Sequence, residues 1–184
     1  MINRALRLLG CEKISALGEG STNSVAAEAA YDQVLEDCHE DHDWLFARKQ
    51  ASISADATPP AWGKANRFAK PADFLRLEGP FDADNSIDRD WEIIGDYIHT
   101  DEAAPLRFIY IASVADPSKW HPLFRKFFAY ALAIELAPLL VNSNTQVQTL
   151  EQQQEKVLQK AKRTSAIQRI PRTRPEPRII LVRR

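Results

Sequence analysis

The sequence predicts an α+β fold: mainly an α-helical bundle of about four helices, with a small antiparallel β-insertion and an extended C-terminal arm. Three observations predict it. Apolar residues recur at three- and four-residue steps near residues 2–10, 24–45, 119–141 and 146–167. Between about 50 and 115 the runs are short, rich in aromatic and β-branched residues, and punctuated by Gly and Pro. From Ile170 to Arg178 three prolines at alternating positions exclude helix, and the arm runs on to Arg184. We therefore expect one body over residues 1–168 and an arm over residues 169–184.

In the first helix Ile2, Leu6 and Leu9 share a face, and Gly10 can end it. Gly18-Glu19-Gly20-Ser21 is a loop, and Ser21, Thr22 or Asn23 can cap the next helix through a side-chain oxygen. That helix is expected from Ser24 to Trp44. Its buried stripe is Ala27, Ala30, Tyr31, Val34, Cys38 and Leu45, and its opposite face carries Glu28, Asp32, Glu36, Asp37, Glu40, Asp41 and Asp43. Thr58-Pro59-Pro60 breaks the chain. Phe68 to Leu77 contains Pro71, so an extended stretch and a short strand at Phe74–Leu77 are expected. Trp91–Ile94, Gly95-Asp96 and Tyr97–His99 read as a hairpin with a Gly-first turn. Arg107–Val114 is a third strand, with Phe108, Tyr110 and Ala112 on one face. A helix then starts after a cap at Asp116 or Ser118. It runs from His121 to Val141, apolar nearly all round, with Pro138 as its kink or end. A surface that apolar is expected to reach another subunit in part. Gln146 to about Ile167 is the last helix, with Val147, Leu150, Gln154, Val157, Leu158 and Ala161 as its stripe.

Composition narrows the class. The chain has 184 residues, 45% hydrophobic and 27% charged, with a net charge of -1. That balance belongs to an ordinary globular domain and excludes collagenous and disordered classes. Cys11 and Cys38 make no disulfide scaffold, so a reducing compartment is expected. The longest apolar run holds Glu135 and Pro138, too interrupted for a membrane span. Residues 1–10 lack the apolar run of a signal peptide. The charge is unevenly placed. Lys160, Lys162, Arg163, Arg169, Arg172, Arg174, Arg178, Arg183 and Arg184 face one carboxylate, Glu176, whereas the rest of the chain holds 15 basic and 24 acidic residues. An acidic body with a basic end implies an acidic partner: nucleic acid, the body of another copy, or another protein.

Motifs for catalysis are missing. His39 and His42 with Asp43 do not form the zinc-protease pattern, since the second histidine comes one residue early, and two or three neighbours lack the support a metal needs. They read as the solvated acidic end of a helix, and Cys38 as a small core residue. Gly18-Glu19-Gly20 has no strand before it and is no phosphate loop. Trp44, Trp62, Trp91 and Trp120 flank element ends and are expected to pin helix to sheet.

Five segments in order carry a resemblance: INRALRLLGCEKISAL before a Gly loop; DHDWLFARKQASI closing the acidic helix; PPAWGKANRFAKPADFLRL; LRFIYIASVADPSKWHPLFRKFFAYALAIELA, with Asp116-Pro117, Leu123-Phe124 and its alanines; and EQQQEKVLQKAKRTSA. Over Met1–Ala166 the chain resembles the tail tubular protein A family, the head-to-tail adaptors of short-tailed bacteriophages, and more broadly the head-completion connectors of long-tailed phages. The resemblance implies a helical bundle with an inserted β-region. It implies a structural virion protein at the head–tail junction, made in the cytoplasm of the bacterial host. Identical subunits, usually twelve, would form a ring under the portal protein. The ring would extend the channel through which double-stranded DNA leaves, without sequence-specific contact, and give the tail nozzle or next tail protein its platform. No catalytic residue, cofactor or metal is implied.

The arm matches no family motif and is read from physics. Its prolines restrict the free chain, which lowers the entropy lost on docking. Ile179, Ile180, Leu181 and Val182 can add as a strand to an exposed sheet edge, while Arg169, Arg172, Arg174, Arg178, Arg183 and Arg184 pair with carboxylates. The expectation is that these residues bind the portal or a neighbouring subunit. Two other classes compete: a small nucleic-acid-binding protein acting through the basic tail, whose mark is salt-dependent binding to naked DNA, and a hydrolase built on His39, His42 and the nearby carboxylates.

Overall fold

The computed structural model describes residues 1–81, 90–141 and 143–168. Four helices form the body: α1 (Ile2–Leu9), α2 (Thr22–Glu40), α3 (Pro122–Leu140) and α4 (Asn144–Gln168). Between α2 and α3 lie six strands, β1 (Arg48–Ile53), β2 (Asn66–Ala69), β3 (Phe74–Phe81), β4 (Trp91–Ile94), β5 (Tyr97–Thr100) and β6 (Leu106–Ala112). The α+β class and the four helices are as the sequence predicts.

The all-round apolarity of α3 has an internal cause. α1, α2 and α4 each pack on α3. It buries Phe124, Phe127, Phe128, Leu132, Ala133 and Leu136 among them. The neighbours it needs are therefore its own, and on α3 the large apolar side chain left exposed is Leu139, at 75%. α1 ends as expected: Gly10 takes φ 75°, and the Cys11 amide donates to Leu6. The Asn3 side chain both donates to and accepts from the backbone of Ile14, each at 2.8 Å, fixing the chain that follows. Gln146 donates to the Leu8 carbonyl at 2.9 Å and ties the start of α4 to α1.

α2 stops at Glu40, not near Trp44 or Leu45 as the apolar spacing predicts. Two effects end it. More carboxylates would join Asp37 and Glu40 at the negative end of the helix dipole; burial and the Asp37 charge already push the Asp41 carboxyl above its ordinary range, against a smaller pull from Lys162. Meanwhile Trp44 turns back and its indole N–H donates to the Cys38 carbonyl at 2.7 Å. The ring is then buried against Phe124 and Phe127. Trp120 repeats the device, donating to Val114 at 2.6 Å. Trp44→Phe keeps most of the apolar area but leaves the buried carbonyl without its donor. We expect a loss of about 1–3 kcal/mol, read from urea denaturation; an unchanged midpoint would show that the bond contributes nothing.

Ser21 is the cap of α2, accepting from the Ser24 amide. Asp116 caps only a 3-10 turn (Pro117–Lys119), and His121 caps α3 through Nδ1 to the Leu123 amide at 3.2 Å. The third helix thus begins at Pro122, not near 119. Pro138 lies inside α3, two residues before its end.

The β-region is two three-stranded antiparallel sheets, ordered β1-β6-β3 and β2-β5-β4, rather than one. β6 is central and buried on both faces. Ile111 enters the helical core, while Leu106, Phe108, Tyr110 and Ala112 enter a second core with Leu77 of β3 and with Phe68 and Ile98 from the other sheet. The layers are therefore helices, sheet, sheet. The expected hairpin is present, with Ile94 opposite Tyr97 and Gly95 at φ 58° between them. β1 and β2 are strands that the periodicity does not reveal.

Candidate docking surface on the helical body

The sequence of α2 aligns two ridges. Val25, Ala29, Gln33 and Asp37 recur every fourth residue, and Ala26, Ala30 and Val34 form the next row. α3 presents Glu135 and Leu139 one turn apart. Short alanine side chains leave space between the helices, a groove of about 290 Å³ lined by Ala26, Ala29, Ala30, Gln33, Val34, Asp37, Glu135 and Leu139. One water occupies about 30 Å³ of liquid, so the groove has room for side chains. Val25 is 57% exposed beside it. The floor is apolar and each helix contributes a carboxylate. Gln33 donates to Asp37 at 2.9 Å. Among the described residues no lysine or arginine forms an ion pair with Asp37 or Glu135. α2 has five carboxylates and no lysine or arginine along its length.

A second cleft lies at the end of α4. Ala161, Thr164, Ser165 and Gln168 in the last turns of α4 meet Trp44, Leu45, Phe46, His121 and Leu123 around about 50 Å³. His42 Nε2 and Ser165 Oγ are 3.0 Å apart. The arm residues themselves, Arg169, Arg172, Arg174, Arg178, Ile179, Ile180, Leu181, Val182, Arg183 and Arg184, lie outside the described residues.

The histidine segment is divided by the end of α2. His39 is fully buried, with Nδ1 donating to the Leu35 carbonyl at 2.7 Å and its ring 4.7 Å from that of Phe124. His42 lies beyond the helix against Trp44, so the two do not share a helical face as their spacing predicts. Among the described residues no three His, Cys, Asp or Glu side chains converge as metal ligands. Cys38 is buried in the helical core, and burial pushes its thiol pKa far up. Trp62 differs from expectation: it is 86% exposed and pins nothing among the described residues, whereas Trp44 and Trp120 are buried. No helix among the described residues is long and apolar enough to cross a membrane.

Burial holds the His39 imidazole below its ordinary pKa of 6.5, against smaller upward pulls from the Leu35 carbonyl and Glu36. The unfolded chain therefore takes up a proton near pH 6.5 that the folded chain refuses. Stability is full above that pH and falls as pH drops toward the folded-state value, at up to about 1.4 kcal/mol per pH unit. His39→Leu should flatten this fall between about pH 6.5 and 5, measured by urea midpoints across pH. An unchanged slope would mean that His39 does not set it.

No protein-family model matches the chain, and no curated protein is significantly similar to it.

The groove was not legible as a site in the sequence. Ala30 and Val34 belong to the expected core stripe of α2, and Ala26 and Ala29 look like ordinary helix formers. The available signal was an exposed Leu139 one turn from Glu135, at a helix end marked by Pro138.

Proposed function

We propose that the chain is a structural virion protein, a head-to-tail adaptor. Identical subunits form a ring, of twelve copies by the family resemblance, that docks under the portal protein, extends the DNA channel and carries the tail nozzle or next tail protein. The observation that carries this reading is the open apolar groove on α2 and α3. Such a surface suits association, not the enclosed, convergent polar groups that catalysis requires. The five ordered segments, Met1 to Ala166, carry the resemblance to that family, and the acidic body with a basic arm offers complementary halves for contact between subunits or with the portal. A largely acidic ring also lets DNA slide without holding it.

The basic arm favours one second reading, a small nucleic-acid-binding protein. Its mark is affinity for naked DNA that falls steeply with salt. The test is co-sedimentation of the full chain with the portal of its own phage, beside a DNA titration at two salt concentrations. Portal capture with weak DNA binding supports the adaptor. Tight, salt-sensitive DNA binding without capture supports the alternative.

A further inference from the structure

We infer that the groove between α2 and α3 seats the Arg178–Arg184 segment of a second copy of this chain. This deepens the adaptor reading by assigning the contact between subunits, and rests on that reading for its setting, but its test needs no portal.

The two partners match in chemistry. The segment Arg178-Ile179-Ile180-Leu181-Val182-Arg183-Arg184 is four apolar residues with arginine on both sides. The groove is an apolar floor of Ala29, Ala30, Val34 and Leu139 between Asp37 on one helix and Glu135 on the other. Burying aliphatic side chains on that floor supplies affinity. Arginines at both ends of the segment and carboxylates on both walls set its register and reject an acidic competitor. The acidic surface of α2, with no cation of its own, extends the match beyond the groove.

The topology selects a second copy over the chain's own arm. α4 runs antiparallel to α3, so Gln168 ends beside His121 and Leu123 at the start of α3. Glu135 lies 14 positions further along that helix than His121, or about 21 Å at 1.5 Å per residue. To lie along its own groove toward Glu135, an arm must double back against the direction of α4 within the ten positions that separate Gln168 from Arg178. Pro171, Pro175 and Pro177 follow there and restrict the chain toward extended conformations. The groove of a second copy does not impose that direction on the arm. The contact is then arm of one copy to groove of the next, a head-to-tail interface that closes into a ring when its rotation allows.

Sedimentation velocity of the full-length chain tests this, with two variants. One carries Asp37→Lys and Glu135→Lys in the groove; the other carries Arg178→Glu and Arg183→Glu in the arm. Asp37 and Glu135 are exposed, and circular dichroism checks that both variants fold. The wild-type chain should associate as concentration rises, and less so in high salt. Each variant alone should associate at least about tenfold more weakly. Mixing the two should restore association, because each then meets the complementary charge on the other. A wild-type chain that stays monomeric at every concentration, variants that associate like wild type, or a mixture that does not recover would each overturn the inference. Portal capture is read separately, so loss of one result leaves the other standing.

Discussion

Phe124→Ala should cost about 3–5 kcal/mol, a large part of the roughly 5–15 kcal/mol that holds a domain of this kind together. Phe124 is fully buried at the junction of four segments. Its ring centroid lies 4.7 Å from His39, 4.9 Å from both Trp44 and Phe46, and 5.0 Å from Trp120. These groups come from α2, from the turn after it and from the approach to α3, so a cavity there loosens the contacts that orient three elements at once. The expected readout is a lower urea midpoint with an unchanged slope. A loss under about 1 kcal/mol would mean that the site collapses around the smaller side chain and that Phe124 is not the keystone of this core.

Removing Arg169–Arg184 should leave the unfolding midpoint within about 0.5 kcal/mol of the full chain, the range of changes away from packed features, and should abolish capture by the portal ring. Among the described residues, the buried members of both cores lie between Ile2 and Ala161. The arm holds six arginines against one carboxylate, Glu176, together with the Ile179–Val182 run, and so a concentrated basic surface for an acidic partner. Capture that persists unchanged would refute a role for the arm in portal attachment. A large drop in stability would instead mean that the arm packs on its own body, contrary to the direction in which α4 leaves it.

The parts of the fold legible in the sequence are those where one local signal had no rival. The Ser21 cap, the Gly10 stop and the Gly95 turn each follow from the backbone geometry that their position requires. The stripe of α4 reads correctly because its opposite face is mostly Gln, Glu and Lys. The end of α2 was misread because the periodic pattern continues through Trp44, while a tertiary bond from that same side chain takes the Cys38 carbonyl and turns the chain. β2 is hidden by its four-residue length and gains its place from its pairing with β5, where Phe68 stands opposite Ile98. The apolar circumference of α3 suggested a partner subunit because the sequence does not reveal how many of its own helices surround it. The groove was illegible for a related reason: alanines that line an opening and alanines that line a core are the same residues until the second helix is in place.

The most direct test of the adaptor account is the mass and shape of the complex formed when the full chain meets the portal of its own phage, by native mass spectrometry with electron microscopy. The account predicts a closed ring of this chain stacked coaxially on the portal, with the DNA channel continuous through both. Free chain beside bare portals, with the same preparation binding naked DNA tightly, would contradict it.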